Sequence, residues 1–144
     1  MSNPSKLLVI IQFFCLGYLV FFSNIMGTGI FLMVQILGFI LAIWSVFVMG
    51  IGRFNIQPEV KSQAKLVNKG PYKVIRNPMY TGLILFFGAG VLNTLYIIDI
   101  FVFLILIIVL LSKIILEEKY LAARFGTSYD DYKKKSFRLI PYIY

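Results

Sequence analysis

Four long apolar runs make up most of this chain, and they are separated by two short links and one polar segment. The runs cover residues 7–26, 30–51, 78–92 and 97–116. A transmembrane helix needs about 20 mostly apolar residues, and these runs approach or reach that length. The pattern predicts an all-α, polytopic integral membrane protein with four transmembrane helices.

The first run has two possible interpretations. Its apolar core, Leu7 to Phe22, follows Lys6 and could be the start of a cleaved signal peptide. However, the sequence Ser23-Asn24-Ile25-Met26 is too bulky for the usual small-residue cleavage site. We therefore expect a retained helix that extends to Met26.

The third and fourth runs predict an antiparallel hairpin. The third run is short and contains small residues that allow helices to approach closely in lipid: Gly82, Gly88, Ala89 and Gly90. The link at 93–96 is a tight turn, and Asp99 is the one charge near the start of the fourth run.

Charge predicts the orientation of these helices. Residues 52–77 carry six Lys/Arg and one acid, and residues 113–144 carry seven Lys/Arg and four acids. Cytoplasmic loops of membrane proteins are enriched in Lys and Arg. We expect both termini in the cytoplasm, and one domain (1–144) whose polar regions, 52–77 and 113–144, face that side.

The C-terminal part alternates charged and apolar residues. Leu121 and Phe125, then Tyr129 and Tyr132, have helical spacing on either side of Gly126. This pattern predicts an amphipathic helical segment that continues the fourth span, breaks near Gly126 and folds back beneath the helices.

Composition agrees with a membrane protein and narrows its chemistry. The 144 residues are 60% hydrophobic and 17% aromatic, and they include no histidine and one cysteine, Cys15. The mean hydropathy is +0.87. The absence of histidine removes the commonest metal ligand and general base, so no metal is expected. The net charge of +8 beside apolar spans indicates contact with anionic lipid and not with nucleic acid.

The polar stretch Leu66–Tyr80, called the turn segment below, is the main candidate for chemistry. It contains Gly70-Pro71 and Asn77-Pro78 between apolar runs. Asn77 is predicted to cap the third helix, and the N–H groups at that helix start could also bind an anion. We expect the protein to hold the turn segment against its C-terminal part.

Two acids on the fourth helix are further candidates. Lys113 and Glu117 lie four residues apart and share a helical face. They could be an ordinary i,i+4 pair, or the lysine could reach towards the membrane surface from the end of the span. Glu118 points about 100° away, and periodicity alone does not choose between the two glutamates.

The order of these motifs resembles a known family. The motifs are Leu66-Val67-x-x-Gly70-Pro71-Tyr72, Arg76-Asn77-Pro78-Met79-Tyr80-x-Gly82, Glu117-Glu118-x-x-Leu121, Phe125-Gly126-x-x-Tyr129-x-x-Tyr132 and Arg138-Leu139-Ile140-Pro141. They resemble the isoprenylcysteine carboxyl methyltransferase family and, more widely, the membrane methyltransferases that include phospholipid N-methyltransferases. The resemblance covers about 57–141.

The resemblance implies transfer of a methyl group from S-adenosylmethionine at the cytoplasmic face. It implies cofactor-binding residues at Gln57, Ala64, Lys65, Leu66, Val67, Tyr72, Asn77, Pro78, Met79, Tyr80 and Glu117. It also implies a substrate-binding cation at Lys113, where the family has arginine. The family's Arg-His-Pro is here Arg76-Asn77-Pro78.

Several roles and acceptors remain open from the sequence. We expect Arg76 and Lys113 to orient an anionic substrate, and Glu118 or Tyr80 to accept a proton if one must be removed. Lysine offers a point charge and not a two-pronged fork for a carboxylate, so lipophilic or small carboxylate, thiol and amine acceptors are all considered.

Two alternatives to methyl transfer are a membrane NADPH-dependent reductase of sterols or lipids, and a non-catalytic lipid-binding or assembly protein. A small polytopic chain without a visible targeting sequence is expected in a prokaryotic cytoplasmic membrane.

Overall fold

The computed structural model describes residues 3–50 and 66–144 of the chain. Its elements are α1 (Asn3–Phe21), α2 (Ile30–Met49), a 3₁₀ turn (Gly70–Lys73), α3 (Pro78–Thr94), α4 (Ile97–Phe125) and α5 (Thr127–Lys134). Over these residues the backbone contains helices and no strand, apart from one isolated bridge between Ile75 and Phe137. The all-α prediction is therefore confirmed for the described residues.

Two of the helices are long and apolar enough to cross a membrane, namely α2 and α4. The apolar helices α1 and α3 are shorter. At about 1.5 Å per residue, the 29 residues of α4 extend roughly 43 Å, which exceeds the roughly 30 Å hydrocarbon core of a bilayer. A continuous helix thus connects the apolar stretch of α4 with the charged residues of its last turns.

Helices α2 and α3 pack so closely that only glycine fits where they meet. A Cβ atom on Gly82 would lie 2.6 Å from the carbonyl oxygen of Gly38 and 2.8 Å from the backbone nitrogen of Ala42. A Cβ on Gly38 would lie 2.8 Å from the carbonyl oxygen of Gly82. The small residues of the third run therefore serve the close approach that the sequence predicted.

Helices α1 and α4 are connected by buried apolar side chains and by a polar contact near the start of α4. Leu19 and Leu106 are fully buried in the shared core. At the start of α4, Asp99 accepts hydrogen bonds from the hydroxyls of Ser23, at 2.5 Å, and Tyr18, at 3.3 Å. The pairing places the C-terminal end of α1 beside the N-terminal end of α4.

The prediction that the first helix extends to Met26 is wrong, because α1 ends at Phe21. The residues that follow make polar contacts that a continued helix would forbid. Ser23 bonds to Asp99, and the buried side chain of Gln35 accepts from the Gly27 N–H and donates to the Ile25 carbonyl. The polar partners on other helices therefore determine where α1 ends.

The two predicted breaks in the second half of the chain are confirmed. The turn between α3 and α4 contains Leu95 in the left-handed conformation, with φ of 55°. Gly126, with φ of 51°, separates α4 from α5 and turns the chain back.

Large apolar side chains are exposed along the outer faces of the long helices. They include Phe14, Met33, Phe39, Phe47, Phe101 and Ile108. A water-soluble protein of this size rarely exposes so much apolar surface, whereas lipid-facing helices do. These exposed apolar faces agree with a location in a membrane.

Candidate active site

The turn segment is joined to the C-terminal part of the chain through the backbone. The N–H of Arg76 donates to the carbonyl of Phe137 at 2.7 Å, and the N–H of Phe137 donates to the carbonyl of Val74 at 2.8 Å. The expectation that the turn segment lies against the C-terminal part is confirmed.

Side chains strengthen this connection on both sides. The hydroxyl of Tyr132, on α5, donates to the carbonyl of Tyr72 at 2.6 Å. The hydroxyl of Thr81, in the first turn of α3, donates to the carbonyl of Leu139 at 2.9 Å. Residues after α5 therefore cross directly beside the start of α3.

Asn77 precedes α3 as predicted, but its side chain does not cap the helix. Its amide group instead donates to the carbonyl of Arg138 at 3.1 Å. The capping prediction is wrong in this respect because the C-terminal segment offers the amide a nearby backbone acceptor. The first N–H groups of α3 consequently have no side-chain cap from Asn77.

Glu118 lies between two arginines and joins three parts of the protein. Its carboxylate binds Nε of Arg76 at 3.0 Å and Nη2 of Arg138 at 2.8 Å. The side chains of Glu118 and Arg76 are only 8% and 10% exposed. Arg76 also donates to the carbonyl of Ser136. Both oxygens of Glu118 thus accept hydrogen bonds from guanidinium groups.

Glu117 lies on a different face of α4, in a separate group. The hydroxyl of Tyr80 donates to its carboxylate at 3.3 Å. The ammonium group of Lys113, one turn earlier on α4, lies 5.5 Å from the centre of the Tyr80 ring. Lys113 is 1% exposed, so the alternative of a lysine reaching out to the membrane surface is wrong, whereas its electrostatic interaction with Glu117 agrees with an i,i+4 pair. The structure thus shows that the two glutamates have different partners, which periodicity alone could not decide.

The Lys113 ammonium also contacts α1. It donates to the side-chain carbonyl of Gln12 at 2.6 Å, and both side chains are buried. A buried cation beside an aromatic ring and close to a carboxylate can bind an anionic or polarised group from which water is excluded.

Tyr72 lies near this group, and Tyr132 on α5 contacts Tyr72. Burial raises the pKa of Tyr72, and the nearby negative charge of Glu117 raises it further. Burial also raises the pKa of Tyr132 to about 12, although the positive charge of Arg76 acts in the opposite direction. Both hydroxyls therefore stay protonated at physiological pH and act as hydrogen-bond donors.

A comparison with known protein families identifies the family of this chain. The family model of the phospholipid methyltransferases matches residues 23–128, which is most of the chain. The protein belongs to this family. The wider membrane methyltransferase family that the motifs resemble is therefore confirmed.

One relative of this protein has a more specific name. The methanethiol S-methyltransferase of Crocosphaera subtropica is 28% identical over 152 aligned residues, which cover 99% of this chain. The chain spans about 58% of the length of that relative.

The structure brings together many of the site residues implied by the resemblance, but not in one group. Tyr80, Glu117 and Lys113 form one group, and Arg76 and Glu118 form another. The remaining described positions lie in the turn segment or at the start of α3: Leu66, Val67, Tyr72, Asn77, Pro78 and Met79. Gln57, Ala64 and Lys65 lie outside the described residues. The functional roles of all these residues stay predictions.

Two residues of this protein contact the site although the sequence predicted no role for them. Gln12 is the one amide in the apolar core of the first run, Leu7 to Phe22, and a polar residue inside a predicted span is a sequence signal in itself. Arg138 belongs to the last motif of the resemblance, yet only the fold shows that it binds Glu118.

Proposed function

We propose that this protein is an integral-membrane methyltransferase that uses S-adenosylmethionine to methylate a small thiol. The observation that carries the proposal is the buried group of Lys113, Tyr80 and Glu117 beside the turn segment, in a chain of a methyltransferase family. The name of the relative from Crocosphaera supports a thiol as the acceptor.

The residues present fit the chemistry of this cofactor. S-adenosylmethionine supplies a methyl group on a positively charged sulfur, and it also carries an ammonium, a carboxylate and an adenine ring. Glu117 offers a carboxylate to a cation, and the rings of Tyr72 and Tyr80 offer aromatic faces. The start of α3, which Asn77 leaves without a side-chain cap, offers N–H groups to a carboxylate.

Lys113 would orient the acceptor. A thiol must lose its proton before it can act as a nucleophile. The acceptor would release this proton to bulk water before it enters the site, and the nearby ammonium favours the thiolate. Because Lys113 is 1% exposed and Tyr80 is 5% exposed, this charge acts where water competes little. Alignment of two reactants in a site without water is the main contribution that the protein needs to make.

Arg76 and Glu118 have a different role in this proposal. Their mutual ion pair, together with Arg138, holds α4, the turn segment and the C-terminal segment in one arrangement. We therefore assign them to the positioning of the site and not to direct contact with the substrate or its proton.

We further propose that all four long helices span the membrane, with the site and both termini at the cytoplasmic face. The basic residues of 52–77 and 113–144 support this orientation. Helix α3, with 17 residues, would extend about 26 Å, which is a short span, and its contact with α2 supports a position within the bilayer. A prokaryotic cytoplasmic membrane remains our expectation.

Calorimetric titration of S-adenosylhomocysteine into the protein in detergent and in nanodiscs tests the cofactor. We expect saturable binding that weakens at least tenfold in Glu117→Gln, because the variant loses the carboxylate charge. Asp131→Asn is the matched control, since Asp131 is exposed on α5 and pairs with Lys134.

The outcomes separate the proposed function from its alternatives. Binding of NADPH in place of S-adenosylhomocysteine would support a reductase, and binding of neither would support a non-catalytic membrane protein. A wild-type protein that binds the cofactor is then assayed with methanethiol, butyrate and ethanolamine. Methylation of the carboxylate or the amine but not of the thiol would contradict the thiol acceptor.

A further inference from the structure

Gln12 is a buried polar residue in the middle of an apolar helix, and its contact crosses to another helix. Its side-chain carbonyl accepts a hydrogen bond from Nζ of Lys113 at 2.6 Å. The apolar core to which both helices contribute includes Cys15 on α1 and the fully buried Leu110 and Ile114 on α4. An ammonium group in such surroundings is costly unless polar atoms replace its water.

The attachment of α1 to α4 does not require this contact. Apolar side chains such as Leu19 and Leu106 already pack between the two helices. Tyr18 and Ser23 supply a second polar connection at Asp99. Apolar residues in place of a buried polar pair are often as stabilising or more so, so stability alone is a weak reason for Gln12 and Lys113.

The residue type at position 12 is informative. A glutamate would bind the ammonium but add a second negative charge beside the one that Glu117 already places near Lys113, and a leucine would leave the ammonium without this polar partner. Glutamine binds the ammonium through a neutral carbonyl and adds no negative charge. This is the expected choice if the charge of Lys113 must be available to another group.

We propose that Gln12 is a positioning residue for Lys113, and that α1 thereby forms part of the binding site for an anionic acceptor. Gln12 lies outside residues 23–128, which match the family model, so the family match does not cover this contribution. The inference rests on the proposed methyltransferase function, and it adds that the charge at Lys113 selects an acceptor that is anionic when it reacts.

The decisive variant is Gln12→Glu, because it keeps the hydrogen bond but adds a second carboxylate beside Lys113. With methanethiol as the acceptor, we expect KM to rise at least tenfold while the S-adenosylhomocysteine dissociation constant and the thermal midpoint stay close to those of the wild type. Phe14→Leu is the control, since Phe14 is on the same helix but 77% exposed. A Gln12→Glu enzyme with wild-type KM would overturn the proposal, because a purely structural hydrogen bond predicts that result.

A second measurement needs no acceptor. In protein labelled with nitrogen-15 at the lysine side chains, the Lys113 signal is assigned by its loss in Lys113→Met. We expect a protected ammonium signal in the wild type and in Gln12→Glu, and a shifted or solvent-exchanged signal in Gln12→Leu. An unchanged Lys113 signal in Gln12→Leu would refute the positioning role.

The two proposals can fail separately. If the wild type binds no S-adenosylhomocysteine, the proposed function fails whatever the Lys113 signal shows. If it binds the cofactor but methylates only amines, the inference of an anionic acceptor fails, while methyl transfer stands.

Discussion

Substitution of Glu118 by glutamine is expected to release the C-terminal segment from the turn segment. In the wild type, one carboxylate binds Arg76 at 3.0 Å and Arg138 at 2.8 Å. The glutamine side chain has nearly the same shape but no charge, and its amide nitrogen would face guanidinium donors. The variant therefore leaves two arginines without their counter-ion.

The magnitude follows from the burial of the three side chains. Removal of one partner from a buried ion pair costs about 3–5 kcal/mol. Arg76 is 10% exposed and has little access to water, whereas Arg138 is 28% exposed and can partly rehydrate. We therefore expect a cost near the lower end, about 3 kcal/mol, which corresponds to a midpoint lower by on the order of 10 °C.

Glu117→Gln provides a matched control, because it makes the same chemical change at the neighbouring position. Glu117 accepts a 3.3 Å hydrogen bond from Tyr80 and takes no part in the two arginine ion pairs. This variant should keep its thermal midpoint within a few degrees and lose cofactor affinity. The adjacent substitutions should thus separate folding from binding.

Thermal unfolding in detergent, followed by the fluorescence of the single tryptophan Trp44, measures the midpoint. Limited proteolysis measures the release of the C-terminal segment, and Glu118→Gln should be cleaved within α5 or after it under conditions that leave Glu117→Gln intact. If Glu118→Gln unfolds at the wild-type temperature and resists cleavage, the two ion pairs do not hold the segment and the reasoning is refuted.

Two further predictions concern helix packing and alkaline stability. Gly82→Ala should lower the thermal midpoint because its new methyl group would meet backbone atoms of α2 at Gly38. In the control Gly17→Ala, the methyl group meets nothing within 4 Å, so the midpoint should stay unchanged or rise. Equal midpoints for both variants would contradict the close packing. Stability should fall as pH rises from about 10 towards about 12, because Tyr132 loses its proton more readily in the unfolded chain than in the fold, where its pKa is about 12. Thermal unfolding of Tyr132→Phe and of the wild type is compared over this pH range. The variant should lose less stability with rising pH, even though it also lacks the bond to Tyr72. An identical pH dependence of the two proteins would show that Tyr132 does not cause the loss.

The helices were largely predictable because each apolar run has the length of a helix and ends in turn-forming residues. The start of α2 at Ile30, the start of α3 at Pro78 and the break at Gly126 all agree with the sequence. The end of α1 was not predictable from local pattern, because the residues after it bond to partners on other helices, such as Ser23 to Asp99, which is 76 residues away. Contacts of that kind depend on which helices become neighbours, and a single sequence does not show this.

The candidate site was only partly predictable for the same reason. Motif order indicated that the turn segment and the last turns of α4 belong together. It did not indicate how Glu117 and Glu118 divide their partners, since both are polar residues near the end of one helix. Nor did it indicate that Asn77 would use its amide on the backbone of Arg138 and not on its own helix.

The separation of the two glutamates explains how a small apolar chain can hold a charged site together and still leave part of it for chemistry. Two arginines share Glu118, so the three groups carry a net positive charge but satisfy one another and fix three segments. Lys113 and Glu117 sum to zero charge, yet they reach toward different partners, Gln12 and Tyr80. In a site assembled in this way, substitutions at positions 12 and 113 should change which acceptor binds without loss of the fold. The residues that hold the segments in place are not the residues that would touch the substrate.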